Sequence, residues 1–339
     1  MRLLRPTTVR GAAAGAFCAL ALLAGAPRAA RAQDEGRLEA QCAAFSDSSA
    51  RRLCNETAQA IEIAHPRLGL AFAAGNPVAG TASTLGKRIG AIPRVSAGVR
   101  ATGVYLEIPP INESGGKIRL AIPAVTGDVA VGLVDGITLA PTVGGFGSVD
   151  VLGSVGIVPI SGAGFGSSPL GWGIGARLGL LRESFVTPGI SITGMYRGIG
   201  EVAFGSPVLA GDSAFFRVSG YRDLSLRGAI SKRLLVLGLA AGLGWDRYQS
   251  DMDVRIRDRS VLCTGLPQPC VRGFAVTGFT SDRLSAFADV SWTALIFSVV
   301  GEAGWQQGGD AARLASPTGF ENLVRKGTFF GSLAFRLTI

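Results

Sequence analysis

The end of the chain, residues 328–339, alternates between apolar and polar side chains with a period of two. The odd-numbered positions carry the apolar residues Phe329, Leu333, Phe335, Leu337 and Ile339, and Phe330 is the exception among the even-numbered positions. This period is that of a β-strand with one apolar and one polar face. Because the pattern continues to the last residue, it predicts a closed barrel in a membrane, in which the last strand pairs with the first.

The same alternation recurs from Arg94 onward, with short and long connections taking turns. Short turns are expected at residues 231–234 and 292–295, and longer loops at 159–170, 205–213, 249–273 and 307–325. We predict an all-β fold, a transmembrane antiparallel up-and-down β-barrel of about ten strands, with roughly 8–14 compatible. The parity of the apolar positions changes after Pro123, which predicts a bulge at residues 123–126. A soluble sandwich also alternates, but it leaves the two loop lengths and the final strand unexplained.

The first 32 residues have the order of a secretory signal peptide. A basic start with Arg2, Arg5 and Arg10 precedes an apolar run at 11–26 and a small-residue cleavage site at 30–32. A membrane anchor is the alternative, but the run is shorter than the roughly 20 residues that a spanning helix needs. The predicted divisions are a signal peptide at 1–32, an N-terminal segment at 33–92 and a barrel at 93–339, located in the bacterial outer membrane.

The segment 33–92 differs from the rest of the chain. Residues 36–42 and 47–64 have helical apolar spacing, Asp47 or Ser48 is the expected N-cap, and Pro66 is expected to end the second helix. The remainder is small and turn-rich. We interpret the segment as a periplasmic domain or as a plug in the barrel mouth, while a flexible leader to the first strand remains an alternative.

The mature chain keeps four cysteines, and their even number in an exported protein favours disulfides. We predict the bridges Cys42–Cys54 and Cys263–Cys270. Zinc ligation is the alternative, but the cysteine spacing without nearby histidines suits zinc poorly.

Charge and composition exclude several function classes. The formal charge of +9 falls to +4 when the signal peptide and its five arginines are removed, and the basic residues form no stripe with aromatic residues. We therefore expect no nucleic-acid partner. The single histidine, His65, lies ahead of the barrel strands, so the loops carry no histidine that could act as a base beside a serine or aspartate, and we expect no enzyme activity and no cofactor. Asp246, Asp251 and Asp253 could form a weak calcium site, but acids at a loop edge usually meet solvent, and no metal is expected.

The strand parity places a set of charged side chains inside the barrel. The predicted lumen cations are Arg94, Arg100, Lys117, Arg119, Arg177, Arg197, Arg227 and Arg336. The predicted lumen anions are Asp128, Asp150, Asp246, Asp289 and Glu302. Either these groups pair in a core without a pore, with Arg227, Arg336, Asp289 and Glu302 among the paired groups, or their positive excess attracts anionic or amphipathic solutes.

By its signal peptide, its alternating strands and its ending Phe335-Arg-Leu-Thr-Ile339, the chain resembles Gram-negative outer-membrane β-barrel proteins. The segment 69–100 is also similar to the N-terminal part of long-chain fatty-acid and hydrophobic-compound transporters. These resemblances imply lipid of the outer membrane and the barrel-assembly machinery as partners, the latter through the C-terminal strand. They favour passage or binding of a small apolar or anionic solute. The alternative is a structural or adhesive surface barrel that acts through its long loops.

Overall fold

A computed structural model describes residues 38, 40–45, 47–87, 92–109, 117–140, 143–162, 165–205, 213–258, 270–309 and 319–339. The predicted signal peptide and Cys263 lie outside these residues. Among the described residues, 40–43 are helical, and two further helices are α1 (Ser48–Ala73) and α2 (Glu321–Arg325). The strands of the first half are β1 (Val95–Ile108), β2 (Ile118–Val134), β3 (Ile137–Ala140), β4 (Val143–Phe146), β5 (Ser148–Ile157), β6 (Ile160–Gly162), β7 (Phe165–Ser167) and β8 (Leu170–Leu181). Those of the second half are β9 (Gly189–Ile199), β10 (Val202–Phe204), β11 (Ser213–Leu234), β12 (Leu237–Asp258), β13 (Cys270–Ala294), β14 (Phe297–Gln306) and β15 (Thr328–Thr338).

Ten of these strands form a closed antiparallel barrel, as the sequence predicts. Their order is β1, β2, β5, β8, β9, β11, β12, β13, β14 and β15, so each strand pairs with the next barrel strand of the chain. The last strand pairs with the first over nine residue pairs, from Ser96 with Thr338 to Val104 with Phe330. This pairing satisfies the backbone groups that an open sheet edge would expose to lipid.

The two ends of the barrel differ in their connections. At one end, which we call the inner end, the turns between β11 and β12 and between β13 and β14 are short. The strand β1 begins at this end, and β15 ends there. At the other, the outer end, β11, β12 and β13 rise above their neighbours, and β6, β7 and β10 extend the sheet. At the inner end, β3 and β4 pair with each other as a separate two-stranded sheet.

The predicted bulge at residues 123–126 is wrong, because β1 and β2 pair continuously from Val95 with Val131 to Ile108 with Ile118. The apolar residues change position in the sequence for another reason. Near the outer end the inward side chains of β2, including Ile122, pack against other buried apolar residues, whereas lower in the barrel the inward side chains are polar. The strand keeps one parity while the polarity of the lumen changes along it.

The helix α1 lies inside the barrel. It touches β1, β2, β11, β12 and β13, and most of its residues are buried. Asp47 caps its N-terminus, since the carboxylate accepts hydrogen bonds from the backbone N–H groups of Ser49 and Ala50 at 2.8 and 3.0 Å. The predicted end at Pro66 is wrong, because the helix continues to Ala73. Proline removes one helical hydrogen bond, and the packing of the following turns against several strands compensates for that loss.

After α1, residues 74–87 run down the lumen to the inner end, and we call them the lumen thread. Lys87 forms an isolated bridge with Pro93, just before β1. At the inner mouth the N–H of Lys87 donates to Asp135 Oδ1 at 2.6 Å. This hydrogen bond, with the nearby Arg182, holds the pKa of Asp135 below its usual value. The chain therefore passes through its own barrel before it begins to build the wall.

The outward face of the barrel is apolar between two levels of aromatic side chains. Exposed aliphatic residues such as Leu239, Val290 and Leu333 occupy the middle. The aromatic residues towards the outer end are Tyr105, Trp172, Tyr196, Trp245, Trp305 and Phe329, and those towards the inner end are Trp292, Phe297 and Phe335. An apolar band between aromatic girdles is the surface that a lipid bilayer requires of a barrel.

Among the described helices, none is both long and apolar enough to span a membrane.

Candidate functional site

The inner half of the lumen is a set of charged side chains that hold the lumen thread by its backbone. Four wall arginines donate hydrogen bonds to backbone carbonyl groups of the thread or of the last residue of α1. The contacts are Arg100 to Ala74 and Asn76, Arg227 to Ala73 and Gly75, Arg177 to Thr81, and Arg336 to Ala79. Those of Arg100 measure 2.9 and 2.6 Å. An extended segment away from the sheet ladder has no regular backbone partner, and these arginines supply it.

Wall carboxylates bind the thread in the complementary direction, by accepting from its N–H groups. Glu302 Oε2 accepts from Asn76 N at 2.8 Å, and Asp289 Oδ2 accepts from Gly80 N at 2.9 Å. Both oxygens of Asp150 lie 3.1 Å from Leu85 N. The lumen arginines thus donate to carbonyl groups of the thread, and the lumen carboxylates accept from its N–H groups.

Three fully buried ion pairs support this arrangement. Arg177 contacts Asp150 at 2.6 Å, Arg227 contacts Asp246 at 2.6 Å, and Arg197 contacts Asp223 at 2.8 Å. Five of these six residues are among the predicted lumen charges, and the sixth, Asp223, is not. The signal was present, because Asp223 has the same parity as Arg227 four residues later and so faces the same side of β11. Charges buried this deeply remain ionised only when they are paired and hydrogen-bonded.

Asp289 and Glu302 form a different cluster from the one expected. They lie directly opposite each other on β13 and β14, and each accepts a hydrogen bond from the thread, as described above. Arg227 pairs instead with Asp246, and Arg336 donates to the carbonyl of Ala79. The expected four-residue ion-pair core is therefore not formed, because the thread stands between its members.

Four predicted lumen charges lie at the margins of this site. Asp128 faces the lumen, half-buried, with its carboxylate 3.7 Å from Arg100. Arg94 is exposed at the inner mouth, where its N–H donates to Gly86 O. The placement of Arg119 and Lys117 in the lumen is wrong, because both side chains are exposed and form ion pairs with Glu107 on the outward face. The assumed bulge caused this error, since it assigned the first residues of β2 to the opposite face.

The outer half of the lumen is aromatic and apolar around α1. Tyr221 OH donates to His65 O at 2.7 Å, and His65 Nδ1 lies 3.2 Å from Ser281 Oγ. The His65 ring is also close to Phe279 and Tyr248, at centroid distances of 5.0 and 6.4 Å. The imidazole of His65 is buried and packs among aromatic rings.

Two spaces lie near the thread, one beside it in the lumen and one at the inner mouth. The cavity between the thread and β1, β2 and β15, which includes Val78, Arg100 and Asp128 in its lining, measures about 20 Å³. That volume admits about one water molecule. A larger space of about 250 Å³ lies at the inner mouth, between Asp135, Gly144 and Arg182. Within the described residues, α1 and the thread occupy the lumen.

The remaining predicted sites have mixed outcomes. Cys42 and Cys54 form the predicted disulfide, which joins the start of α1 to the residues before it. Because Cys263 lies outside the described residues, the Cys263–Cys270 bridge stays a prediction. Asp246, Asp251 and Asp253 do not converge, since Asp246 pairs with Arg227, Asp251 accepts from Gly278 N and Asp253 pairs with Arg255. The described residues contain no cluster of His, Cys, Asp and Glu suited to a metal.

Comparisons with known proteins find the barrel architecture only. No protein-family model matches the chain, and no curated protein matches it. The chain is similar to the translocator domain of the autotransporter NalP from Neisseria meningitidis, at 10% identity and a TM-score of 0.36, over 73% of this chain and 88% of that one. It is similar to the outer membrane protease OmpT from Escherichia coli, at 11% identity and a TM-score of 0.34, over 73% and 96% of the two chains.

A third similarity is to the COG4313 outer membrane channel from Pseudomonas putida F1, at 10% identity and a TM-score of 0.31, over 75% and 97% of the two chains. These proteins are a translocator, a protease and a channel. Sequence identities and TM-scores this low carry no information about activity. The similarity to fatty-acid transporters suggested by residues 69–100 is not shown. The location follows from the molecule itself: a closed barrel with an apolar outward band between aromatic girdles is an outer-membrane protein.

Proposed function

We propose that this protein is a sealed outer-membrane barrel that acts at the cell surface through its outer end. The observation that carries the proposal is the fixation of the lumen thread. Arginines and carboxylates from β1, β5, β8, β11, β13, β14 and β15 hold its backbone, and ion pairs that are themselves buried orient several of these side chains. Because wall side chains from seven strands bind this segment, displacing it would break hydrogen bonds that stabilise the folded barrel. The resting barrel therefore offers a solute no open path through the part of the lumen that the structure describes.

The outer end supplies the surface for such a role. The strands β11, β12 and β13 continue above the outer aromatic girdle, with buried Val254, Ile256 and Val276 inside and charged side chains outside. The disulfide-linked start of α1 packs into the same end, where the ring of Phe45 lies 5.4 Å from the guanidinium of Arg272. This combination makes a folded platform above the membrane, which suits attachment better than passage.

The passage of a small apolar or anionic solute, which the sequence favours, has less support. The excess of lumen arginines suggested attraction of anions, but the carbonyl groups of the thread already occupy Arg100, Arg227, Arg177 and Arg336. A solute would have to displace several hydrogen bonds to buried charges, each of which contributes about 1.5–3 kcal/mol. A passage function therefore requires a rearrangement of the thread.

Single-channel recording on the full-length mature protein in a planar bilayer tests the proposal. We expect a flat baseline without conductance steps at neutral pH. The recording is repeated in moderate urea, which loosens the thread before the barrel unfolds, and steps that appear only there are expected. Regular steps in the native protein would overturn the sealed barrel and favour passage.

Surface labelling tests whether the platform faces outward. We expect a membrane-impermeant maleimide to label Ala44→Cys on intact cells, because Ala44 is exposed at the outer end beside the disulfide-linked start of α1. The matched control is Phe185→Cys, on an exposed connection at the inner end, which should label only after lysis. The unsubstituted protein sets the background from native cysteines. The opposite labelling pattern would contradict the proposed orientation.

A further inference from the structure

A cluster of cations lies on the outward face of the barrel, just above the outer aromatic girdle. Lys117 Nζ and Arg119 Nε lie 3.8 and 3.1 Å from Glu107 Oε1, and Lys326 Nζ lies 4.0 Å from Glu107 Oε2. Among the described residues, Glu107 is the carboxylate that all three cations share. We call these four residues the Glu107 cluster, and it carries a net charge of +2.

The cluster differs from the other exposed ion pairs of the outer end. Arg52 pairs with Glu56, Arg217 with Glu201, and Arg255 with Asp253, each with one cation for one acid. In the Glu107 cluster the carboxylate is nearly buried, while the side chains of Lys117, Arg119 and Lys326 are 44%, 66% and 64% exposed. The cations therefore cover the acid and present their remaining donors outward.

The position of the cluster along the strand sets its depth in the membrane. Arg119 pairs with Glu107, and two residues further down Ala121 pairs with the girdle residue Tyr105. Arg119 thus lies roughly 7 Å above Tyr105 on the same face, given a strand rise of about 3.4 Å per residue. Below it, Val99 and Leu333 are exposed to the lipid chains. Aromatic girdles mark the level of the lipid headgroups, so the cations lie among or just above them.

From this geometry we infer that the Glu107 cluster binds a phosphorylated headgroup of an outer-leaflet lipid. Guanidinium and ammonium groups are the side chains that bind phosphate, the former through two parallel hydrogen bonds and the latter as a point charge. The exposed rings of Tyr105 and Phe329 lie below the cations and suit the acyl chains of the same lipid. The inference does not depend on whether the lumen is sealed.

Binding of defined lipids to the purified full-length protein in a neutral detergent tests the site. The probes are a phosphorylated glycolipid, its enzymatically dephosphorylated form and inorganic phosphate, and native mass spectrometry measures the bound fraction of each. The test variant is K117Q/R119Q/K326Q. Since each basic residue near a lipid surface contributes roughly fivefold to binding, we expect the triple variant to bind the phosphorylated lipid about a hundredfold more weakly.

The matched control is R52Q/R217Q/R255Q, which removes the same charge from the one-to-one pairs of the outer end and should retain most of the binding. Arg119→Gln alone keeps the test valid if the triple variant folds poorly, and we expect an intermediate loss of roughly fivefold. Equal losses in the two triple variants, or equal binding of the dephosphorylated lipid, would overturn the site. Saturation by inorganic phosphate as tight as that by the lipid would also overturn it, because the site would then be a soluble-anion site.

Discussion

At the scale of single residues, the lumen shows how a barrel can tolerate buried charges. Arg177 is enclosed, yet its guanidinium donates both to Asp150 and to the thread at Thr81, while Asp150 also accepts from Leu85 N. Each charge therefore has a partner of opposite sign and a second partner in the backbone. Removal of Asp150 leaves Arg177 without its anion and the N–H of Leu85 without its acceptor, which is the costly case for a buried pair.

Asp150→Ala should destabilise the folded barrel by about 3–5 kcal/mol, because it leaves Arg177 as a buried unpaired cation. Denaturant titration followed by the heat-modifiable gel shift of the barrel measures the change. Asp253→Ala is the control, since its pair with Arg255 is exposed and is expected to contribute at most about 1 kcal/mol. Similar small losses in both variants would mean that water screens the lumen charges.

The sequence predicted most lumen charges by parity alone, and the exceptions have physical causes. A period of two assigns Arg100, Arg177 and Arg227 to the lumen without reference to their partners. The period could not assign the hydrogen-bond and ion-pair partners of these arginines, because those depend on the neighbouring strand and on the thread. It also failed at Arg119, where apolar inward residues near the outer end resemble a lipid-facing pattern.

At the scale of elements, the lumen thread depends on glycine where it touches the wall most closely. Gly75 has a positive φ of 70°, and a Cβ atom there would collide with the carboxylate of Glu302. The next residue, Asn76, donates its N–H to the same carboxylate. The left-handed conformation and the close approach thus coincide at one position, where glycine avoids both the backbone strain and the collision.

Gly75→Ala should therefore displace this part of the thread, lower the thermal stability of the barrel and produce conductance steps that the parent lacks. The control is Gly147→Ala, whose φ of 73° imposes the same backbone strain but whose Cβ would meet open space among the described residues. Strain of this kind alone costs roughly 1–2 kcal/mol. If Gly75→Ala and Gly147→Ala behave alike in both assays, the contact with Glu302 does not hold the thread.

Two elements extend beyond their predicted ends, for related reasons. The sequence indicates a loop at 249–273, but β12 continues to Asp258 and β13 starts at Cys270. Alternation persists there as Met252, Val254 and Ile256 against charged neighbours, and outside the bilayer the outward face needs no apolar residues. Likewise, α1 continues past Pro66 because the barrel surrounds it. In both cases the tertiary environment, which a local pattern does not contain, decides the boundary.

At the scale of the whole molecule, the fold was predictable because the membrane restricts the alternatives. A bilayer admits strands only as a closed barrel, so alternation from Arg94 to Ile339 sufficed to predict about ten strands and their order. The occupant of the lumen was not predictable, because the pattern of residues 33–92 does not show which barrel strands the segment contacts. The sequence left a plug, a periplasmic domain and a flexible leader to the first strand as alternatives.

Arginine at Leu239, Val290 or Leu333 should impair assembly, since each residue is exposed in the middle of the apolar band. A cation at that depth costs roughly 2–4 kcal/mol. Leu235→Arg is the control, because this exposed turn residue lies at the inner end, where the cost falls to about 0–1 kcal/mol. Folding into lipid vesicles, followed by protease protection, measures the difference. Equal folding of all four variants would mean that the apolar band does not face lipid.

The route of the chain from the thread into β1 also makes the thread a tethered ligand. Only a few residues separate Lys87 from Val95, so the thread cannot diffuse away from the sites that bind it. A short tether corresponds to an effective concentration on the order of millimolar. Any free molecule that enters the lumen must compete with that concentration, and a weakly bound solute would be excluded by mass action even where its chemistry fits the arginines.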